Sequence, residues 1–262
     1  MERMMKSWNV VVFCLVVVGL MAMPAVQAAP ASAKKSAARK RPEPRPAGPK
    51  ESVTPASRPE KRWTDRQELI NGRAAAGNVD VIFLGDSITQ GWERKGAKVW
   101  EKYFTPLKAM NAGIGGDRTE HVLWRLDNGN IKGITPKVAV VMIGTNNSRT
   151  NTSEQIAAGI TAIVEKLRAK LPDTKVLLLA IFPRGVDDAD PLRQTNAGAN
   201  TIVKALDDGE HVFYLDIGKK FLTSEGVLEK EIMPDRLHLT EEGYEIWAKA
   251  IEPTVKKLLA AG

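Results

Sequence analysis

The sequence predicts an α/β domain built on a parallel sheet of about five strands, with helices covering both faces. Three observations carry this. Five short runs rich in branched and aromatic side chains recur along the chain, at 79–84, 107–111, 138–143, 175–181 and 212–215. Stretches with apolar residues at helical spacing separate them, and strands alternating with helices imply a parallel, doubly covered sheet. The run 138–143, Val-Ala-Val-Val-Met-Ile, is apolar at every position, as a strand buried on both faces must be.

Each element has its own signal. The first strand, 79–84, ends at Gly85, and the second, 107–111, ends at a cluster of glycines. Between the third and fourth strands, Ile156, Ile160, Ile163, Val164 and Leu167 mark a helix over 153–169 by their 3–4-residue spacing. The last helix begins at Thr240-Glu241-Glu242, a capping residue followed by an acidic first turn, and carries Tyr244, Ile246, Trp247, Ile251 and Leu258. No internal repeat interrupts the pattern. The folded domain is expected to span 63–262, an ordinary size for a single core.

The segment ahead of it has a different composition. Residues 1–28 combine a basic start (Arg3, Lys6), an apolar run over 10–23 and the small-residue exit Val26-Gln27-Ala28, the layout of a secretory signal peptide. The run is short for a membrane span, which needs roughly 20 apolar residues. A secreted or periplasmic location follows as an expectation. The one cysteine, Cys14, lies in this leader, so the mature domain is expected to hold neither a disulfide nor a cysteine metal site.

Residues 29–62 are crowded with Ala, Pro and Lys/Arg, lack apolar periodicity and read as a disordered linker. They hold 10 Lys/Arg and 3 Glu, a net charge of +7, whereas 63–262 hold 26 Lys/Arg against 27 Asp/Glu, a net charge of −1. The basic balance of the whole chain therefore belongs to the leader and linker and does not mark a nucleic-acid-binding fold. The linker reads as a solvated spacer, or as an electrostatic tether to anionic lipid or cell-wall polymer.

In a wound parallel sheet, active sites form beyond the carboxyl ends of the strands. After the first strand comes Gly85-Asp86-Ser87, with a serine where the strand turns into a helix. Such a serine exposes its hydroxyl beside a free backbone N–H, which suits a nucleophile but equally a helix cap. After the second strand comes Asn111-Ala112-Gly113-Ile114-Gly115-Gly116-Asp117, whose glycines allow the backbone to approach a ligand or simply to turn. Its spacing fits neither the dinucleotide nor the P-loop fingerprint. After the third strand comes Gly144-Thr145-Asn146-Asn147, where an amide is placed to donate to a developing negative charge or to shape the turn. Asp235-Arg236-Leu237-His238 precedes the last helix. Its spacing lets the carboxylate orient one imidazole nitrogen while the other faces a serine. His121 and His211 fall in a helix and at a strand and read as structural. With only His238 in a plausible site, no metal cage is expected.

Taken together, in this order, these motifs resemble the SGNH branch of the GDSL hydrolases, named for its Ser, Gly, Asn and His. Here those positions are Ser87, Gly116, Asn146 and His238, with Asp235 as the acid. The absence of a Gly-x-Ser-x-Gly elbow sets the chain apart from α/β-hydrolases. Within the family it is most similar to the catalytic subunits of platelet-activating factor acetylhydrolase Ib, through NAGIGGDRTEHVLWRLDNG (111–129), PKVAVVMIGTNN (136–147), FPRG (182–185) and DRLHLT (235–240). The resemblance implies a flavodoxin-like three-layer α/β/α sandwich and no metal or organic cofactor. It implies Ser87, Asp235 and His238 as a catalytic triad, and an oxyanion hole from Ser87, Gly116 and Asn146. It also implies a small acyl pocket walled by Ile88, Thr145 and Leu237. The expected function is that of an exported serine esterase cleaving short-acyl esters through an acyl-serine. Carbohydrate O-acetyl esters come first as substrates and phospholipid esters second. A binding module that keeps the cleft without the chemistry is the remaining alternative.

Overall fold

The computed structural model describes residues 51–261. The leader over 1–28 and the greater part of the expected linker lie outside them.

Five parallel strands form the sheet: β1 (Val81–Gly85), β2 (Ala109–Gly113), β3 (Val138–Met142), β4 (Lys175–Leu179) and β5 (Val212–Leu215), in spatial order β2-β1-β3-β4-β5. β1 lies between β2 and β3, with Gly85 in register with both Gly113 and Met142. Every residue of β1 and β3 is buried. Within them burial alternates between faces, as the period of two in a strand requires. Ile82, Leu84, Ala139 and Val141 enter one core, under α1 (Lys61–Ala75), α4 (Thr119–Asp127), α5 (Ser153–Lys170) and α6 (Pro191–Val203). Val81, Phe83, Val138, Val140 and Met142 enter the other, under α3 (Ala97–Tyr103) and α7 (Glu241–Ala260). The three-layer α/β/α sandwich expected from the strand–helix alternation is the observed fold.

The second core is unusually aromatic. Phe83, Trp92, Phe104, Phe182, Tyr244 and Trp247 pack together there, with the rings of Trp92 and Tyr244 4.5 Å apart and those of Trp92 and Trp247 4.8 Å apart. Its rings lie directly beneath the short helix α2 (Ser87–Gln90) that follows β1, and Tyr244 Oη donates to the Ile88 carbonyl at 2.7 Å. The floor of α2 is thus a closely packed aromatic block.

The first, third and fourth strands differ from the sequence reading by one or two residues at an end, and two further boundaries differ for identifiable reasons. β2 starts at Ala109 rather than 107, because Thr105–Leu107 form a 3₁₀ turn around Pro106 and Lys108 takes a left-handed φ of 49°. More consequential is the start of the domain. Residues 51–62, expected as the end of a disordered linker, are placed against it. Ser52 is fully buried, its carbonyl accepts from Thr119 Oγ1 at 2.9 Å, and Ala56 N–H donates to the Glu120 carbonyl at 3.1 Å. α1 already begins at Lys61. The physical reason is that this segment bonds through backbone groups and one arginine. It therefore has no need of the apolar periodicity whose absence suggested disorder.

Candidate active site

The carboxyl ends of β1, β2 and β3 each deliver one short loop to the same end of the sheet. Ser87 is the first residue of α2, where a helix leaves its leading N–H groups without intrahelical acceptors. Asp86, fully buried, caps that helix by accepting from Ile88 N–H at 2.9 Å. The turn is tight because α2 crosses directly over β2: a Cβ on Gly113 would sit 2.3 Å from the Gln90 nitrogen. Gly116 has a left-handed φ of 80°, which suits a residue without a Cβ and brings its backbone to the rim of the cleft.

The structure brings Ser87, His238 and Asp235 into one line. Ser87 Oγ and His238 Nε2 are 2.9 Å apart, and His238 Nδ1 and Asp235 Oδ2 are 2.6 Å apart. Local geometry makes the second contact. Arg236, between them, takes a left-handed φ of 60°, and Asp235 Oδ1 accepts from the backbone N–H groups of Leu237 (3.1 Å) and His238 (2.7 Å). Burial raises the Asp235 carboxyl, but the His238 imidazole and these N–H groups outweigh it and hold the carboxyl below its ordinary range. With a proton on Nδ1, Nε2 is free to accept the serine proton, and an ionised carboxylate stabilises the resulting imidazolium. The side chains of His238 and Asp235 are 45% and 55% exposed, so the site is open and any exclusion of water must come from the substrate.

Asn146, in the loop after β3, lines the same cleft as Ser87. Its Nδ2 donates to the Asp117 carbonyl at 2.9 Å and lies 3.5 Å from Asp86 Oδ2. Asn146, Gly116 and Ser87 line the same cleft, so the three residues expected to hold an oxyanion share one space. Asp86 is a fully buried carboxyl next to the site. Burial is the main cause that pushes its carboxyl up to about 7, and the neighbouring Asp117 adds to it.

The cleft over Ser87 has a volume of about 760 Å³, and its lining includes the apolar or aromatic residues Trp63, Ile114, Leu237, Leu239 and Tyr244 together with several cations. Of the three residues expected to wall a small acyl pocket, Leu237 lines it. Ile88 and Thr145 do not. Ile88 follows Ser87 on α2, so the roughly 100° turn per residue points it into the aromatic core while Ser87 faces out. The Thr145 hydroxyl is buried and accepts from Arg184 Nη1 and Asn196 Nδ2, both at 3.2 Å, so it braces the Asn146 loop from beneath.

One group of residues escaped sequence reasoning. Asp117 is buried beneath the glycine loop and takes the Trp63 indole N–H at 2.7 Å and the Arg125 guanidinium at 2.8 Å. Burial raises its carboxyl, with Arg125 acting against that rise. Arg58, from the segment read as linker, donates to the Gly115 carbonyl at 2.9 Å and lies 3.6 Å from Asp117. The signal for Arg125 and Asp117 was present as charged residues inside otherwise apolar or glycine-rich runs. Arg58 had no such signal. Among the described residues, no group of three or more His, Cys, Asp or Glu is placed to hold a metal ion.

A Ser–His–Asp line beyond a five-stranded parallel sheet, facing an asparagine amide and a glycine backbone, defines a serine-type ester hydrolase. Comparison with known proteins agrees: the GDSL-like Lipase/Acylhydrolase family profile matches residues 83–246. The human platelet-activating factor acetylhydrolase IB subunit alpha2 is 43% identical over 199 residues, covering 76% of this chain and 85% of its own length. The alpha1 subunit from Rattus norvegicus is 36% identical over 219 residues, covering 80% of this chain and 93% of its own. Among solved structures, a GDSL-like lipase from Bacteroides thetaiotaomicron superposes with a TM-score of 0.61 at 21% identity, covering 76% of this chain and 99% of that one. An acetylxylan esterase from Geobacillus stearothermophilus superposes at 0.54 with 19% identity, covering 67% and 93%. The chain belongs to the GDSL-like lipase/acylhydrolase family and is an ester hydrolase.

Proposed function

We propose that the protein is an exported serine esterase that removes short acyl groups, acetyl foremost, from carbohydrate esters. The observation that carries the catalytic part is the line of contacts from Ser87 Oγ through His238 to Asp235 at the floor of the open cleft. His238 Nε2 takes the Ser87 proton as Oγ bonds to the ester carbonyl carbon. The negative charge passes to the carbonyl oxygen, among the N–H groups of Ser87 and Gly116 and the Asn146 amide. The carbon–oxygen bond to the alcohol then breaks, and His238 returns the proton to the departing oxygen. Water, deprotonated by the same imidazole, releases the acid and restores Ser87.

Acetyl selectivity is supported by the relatives, whose names are those of acetylhydrolases and of an acetylxylan esterase. It is not supported by a narrow pocket, since two of the three residues expected to form one lie in the interior. Export rests on the leader over 1–28, and a carbohydrate substrate rests on export together with the acetylxylan esterase likeness. A second reading, hydrolysis of acetylated phospholipids, is favoured by the 43% identity to the platelet-activating factor acetylhydrolase subunit. Ser87→Ala tests the core of the proposal. It should abolish release of 4-nitrophenol from nitrophenyl acetate and labelling by a fluorophosphonate, with an unchanged melting temperature. Turnover above a few per cent of wild type would overturn it.

A further inference from the structure

The cleft is lopsided in charge. Arg62, Arg66, Arg94 and Lys95 line it with Ser87, and no aspartate or glutamate does so among the described residues. Arg66 is already neutralised, by a two-pronged contact with Glu93 at 2.6 and 2.8 Å and by donation to the carbonyls of Gly113 and Asn111. Arg62, Arg94 and Lys95 differ from it. All three are exposed, and none forms an ion pair with a described residue. Yet residues 51–262 hold 29 Lys/Arg against 29 Asp/Glu, a net charge of zero, so the cations at the mouth are not part of a generally basic domain. A cleft lined by charges of one sign focuses the field and enriches a ligand of the opposite sign.

The volume points the same way. About 760 Å³ is far more than an acetyl group fills, so the alcohol part of the ester has room within the cleft, alongside the cations. Among the described residues, no large apolar side chain that faces solvent stands at the mouth to seat it on a lipid surface. The large apolar side chains exposed among the described residues are Val53, Leu69, Val186 and Ile202, and none lines the cleft.

We infer that the alcohol part of the substrate bears a negative charge, held by Arg62, Arg94 and Lys95, and that it is a soluble anionic saccharide, such as an O-acetylated uronic-acid oligomer, rather than a lipid. The inference rests on the esterase reading of the same site and narrows its substrate class.

The test uses the full chain with four acetyl donors: nitrophenyl acetate, acetylated oligogalacturonate, acetylated xylo-oligosaccharide, and an acetylated phospholipid in phosphatidylcholine vesicles. Wild type should favour the oligogalacturonate over the neutral oligosaccharide by about tenfold in kcat/KM at low salt, a ratio that shrinks as salt screens the charges. Arg94→Gln with Lys95→Gln should bring that ratio towards one, and Arg94→Lys with Lys95→Arg should keep it. A ratio near one in wild type, or one unmoved by the double neutral variant, would overturn the inference while leaving the esterase standing. So would faster turnover of the vesicle-borne phospholipid than of the oligogalacturonate. Failure to hydrolyse any of the four, nitrophenyl acetate included, would overturn the esterase reading and the inference with it.

Discussion

Shortening the chain to begin at Glu60 rather than Glu51 leaves α1 and its cap intact but removes the strap that crosses the oxyanion loop. Three long-range hydrogen bonds go with it, besides the 3.6 Å approach of Arg58 to Asp117: Arg58 Nη1 to the Gly115 carbonyl, the Ser52 carbonyl with Thr119 Oγ1, and Ala56 N–H with the Glu120 carbonyl. A hydrogen bond from a charged donor is worth about 1.5–3 kcal/mol and each neutral one about 1 kcal/mol, so the loss is roughly 4 kcal/mol. For a domain of this size each kcal/mol moves the melting temperature by about 2–4 °C, which predicts a fall of roughly 8–16 °C. Catalysis should suffer separately. Gly115 adjoins Gly116, whose N–H must point at the oxyanion, so Arg58→Ala in the full chain should lower kcat about tenfold with KM little changed. Arg58→Lys should recover part of the loss. Nitrophenyl acetate kinetics with thermal melts decide it. If the chain from Glu60 melts within about 2 °C of the chain from Glu51 and turns over as fast, the strap has no role and residues 51–59 are only a passenger.

Further outcomes follow from the same geometry. Asn146→Ala should lower kcat by roughly 100- to 1000-fold with a small effect on melting. Asn147→Ala should do the reverse, because Asn147 is buried and bonds Thr119 N–H, Thr119 Oγ1 and Glu120, so its loss costs about 1–3 kcal/mol of stability. Equal kinetic losses at both positions would refute the division. Leu237→Ala should raise kcat/KM for nitrophenyl butyrate relative to acetate, since Leu237 is the expected acyl-pocket residue that lines the cleft. An unchanged ratio would remove it from acyl selection. Asp86 holds its proton more tightly folded than unfolded, so its contribution to stability declines as pH rises from about 4 to about 7. The slope for one proton is about 1.4 kcal/mol per pH unit at most. Asp86→Asn should flatten that decline in denaturant melts, and an identical slope in both proteins would refute the assignment. Asp235, held low, has the opposite sign: its contribution is lost as pH falls through its folded value.

The placement of the reactive side chains was legible in the sequence because it depends on short-range order, while their roles in ester chemistry followed from the resemblance to a known family. Where a strand ends and a helix begins is written in local periodicity, and a parallel sheet places every such junction at one end. Ser87, Gly116 and Asn146 therefore fall together once β1, β2 and β3 are recognised, and Asp235 lies three residues from the histidine it contacts. What the sequence did not reveal depends on contacts between distant segments. Whether Ile88 and Thr145 face the cleft or the interior is decided by the rotation of α2 on its aromatic floor and by Arg184 and Asn196, 39 and 51 residues further along the chain than Thr145. Arg58 reaches Gly115 across 57 residues from a stretch whose composition resembles disorder. Its order comes from a handful of long-range hydrogen bonds, which leave no periodicity behind. The cationic mouth is likewise a tertiary product: Arg62 precedes the sheet and Arg94 and Lys95 follow α2, and only the packing of α1 beside that loop gathers their charges around one serine.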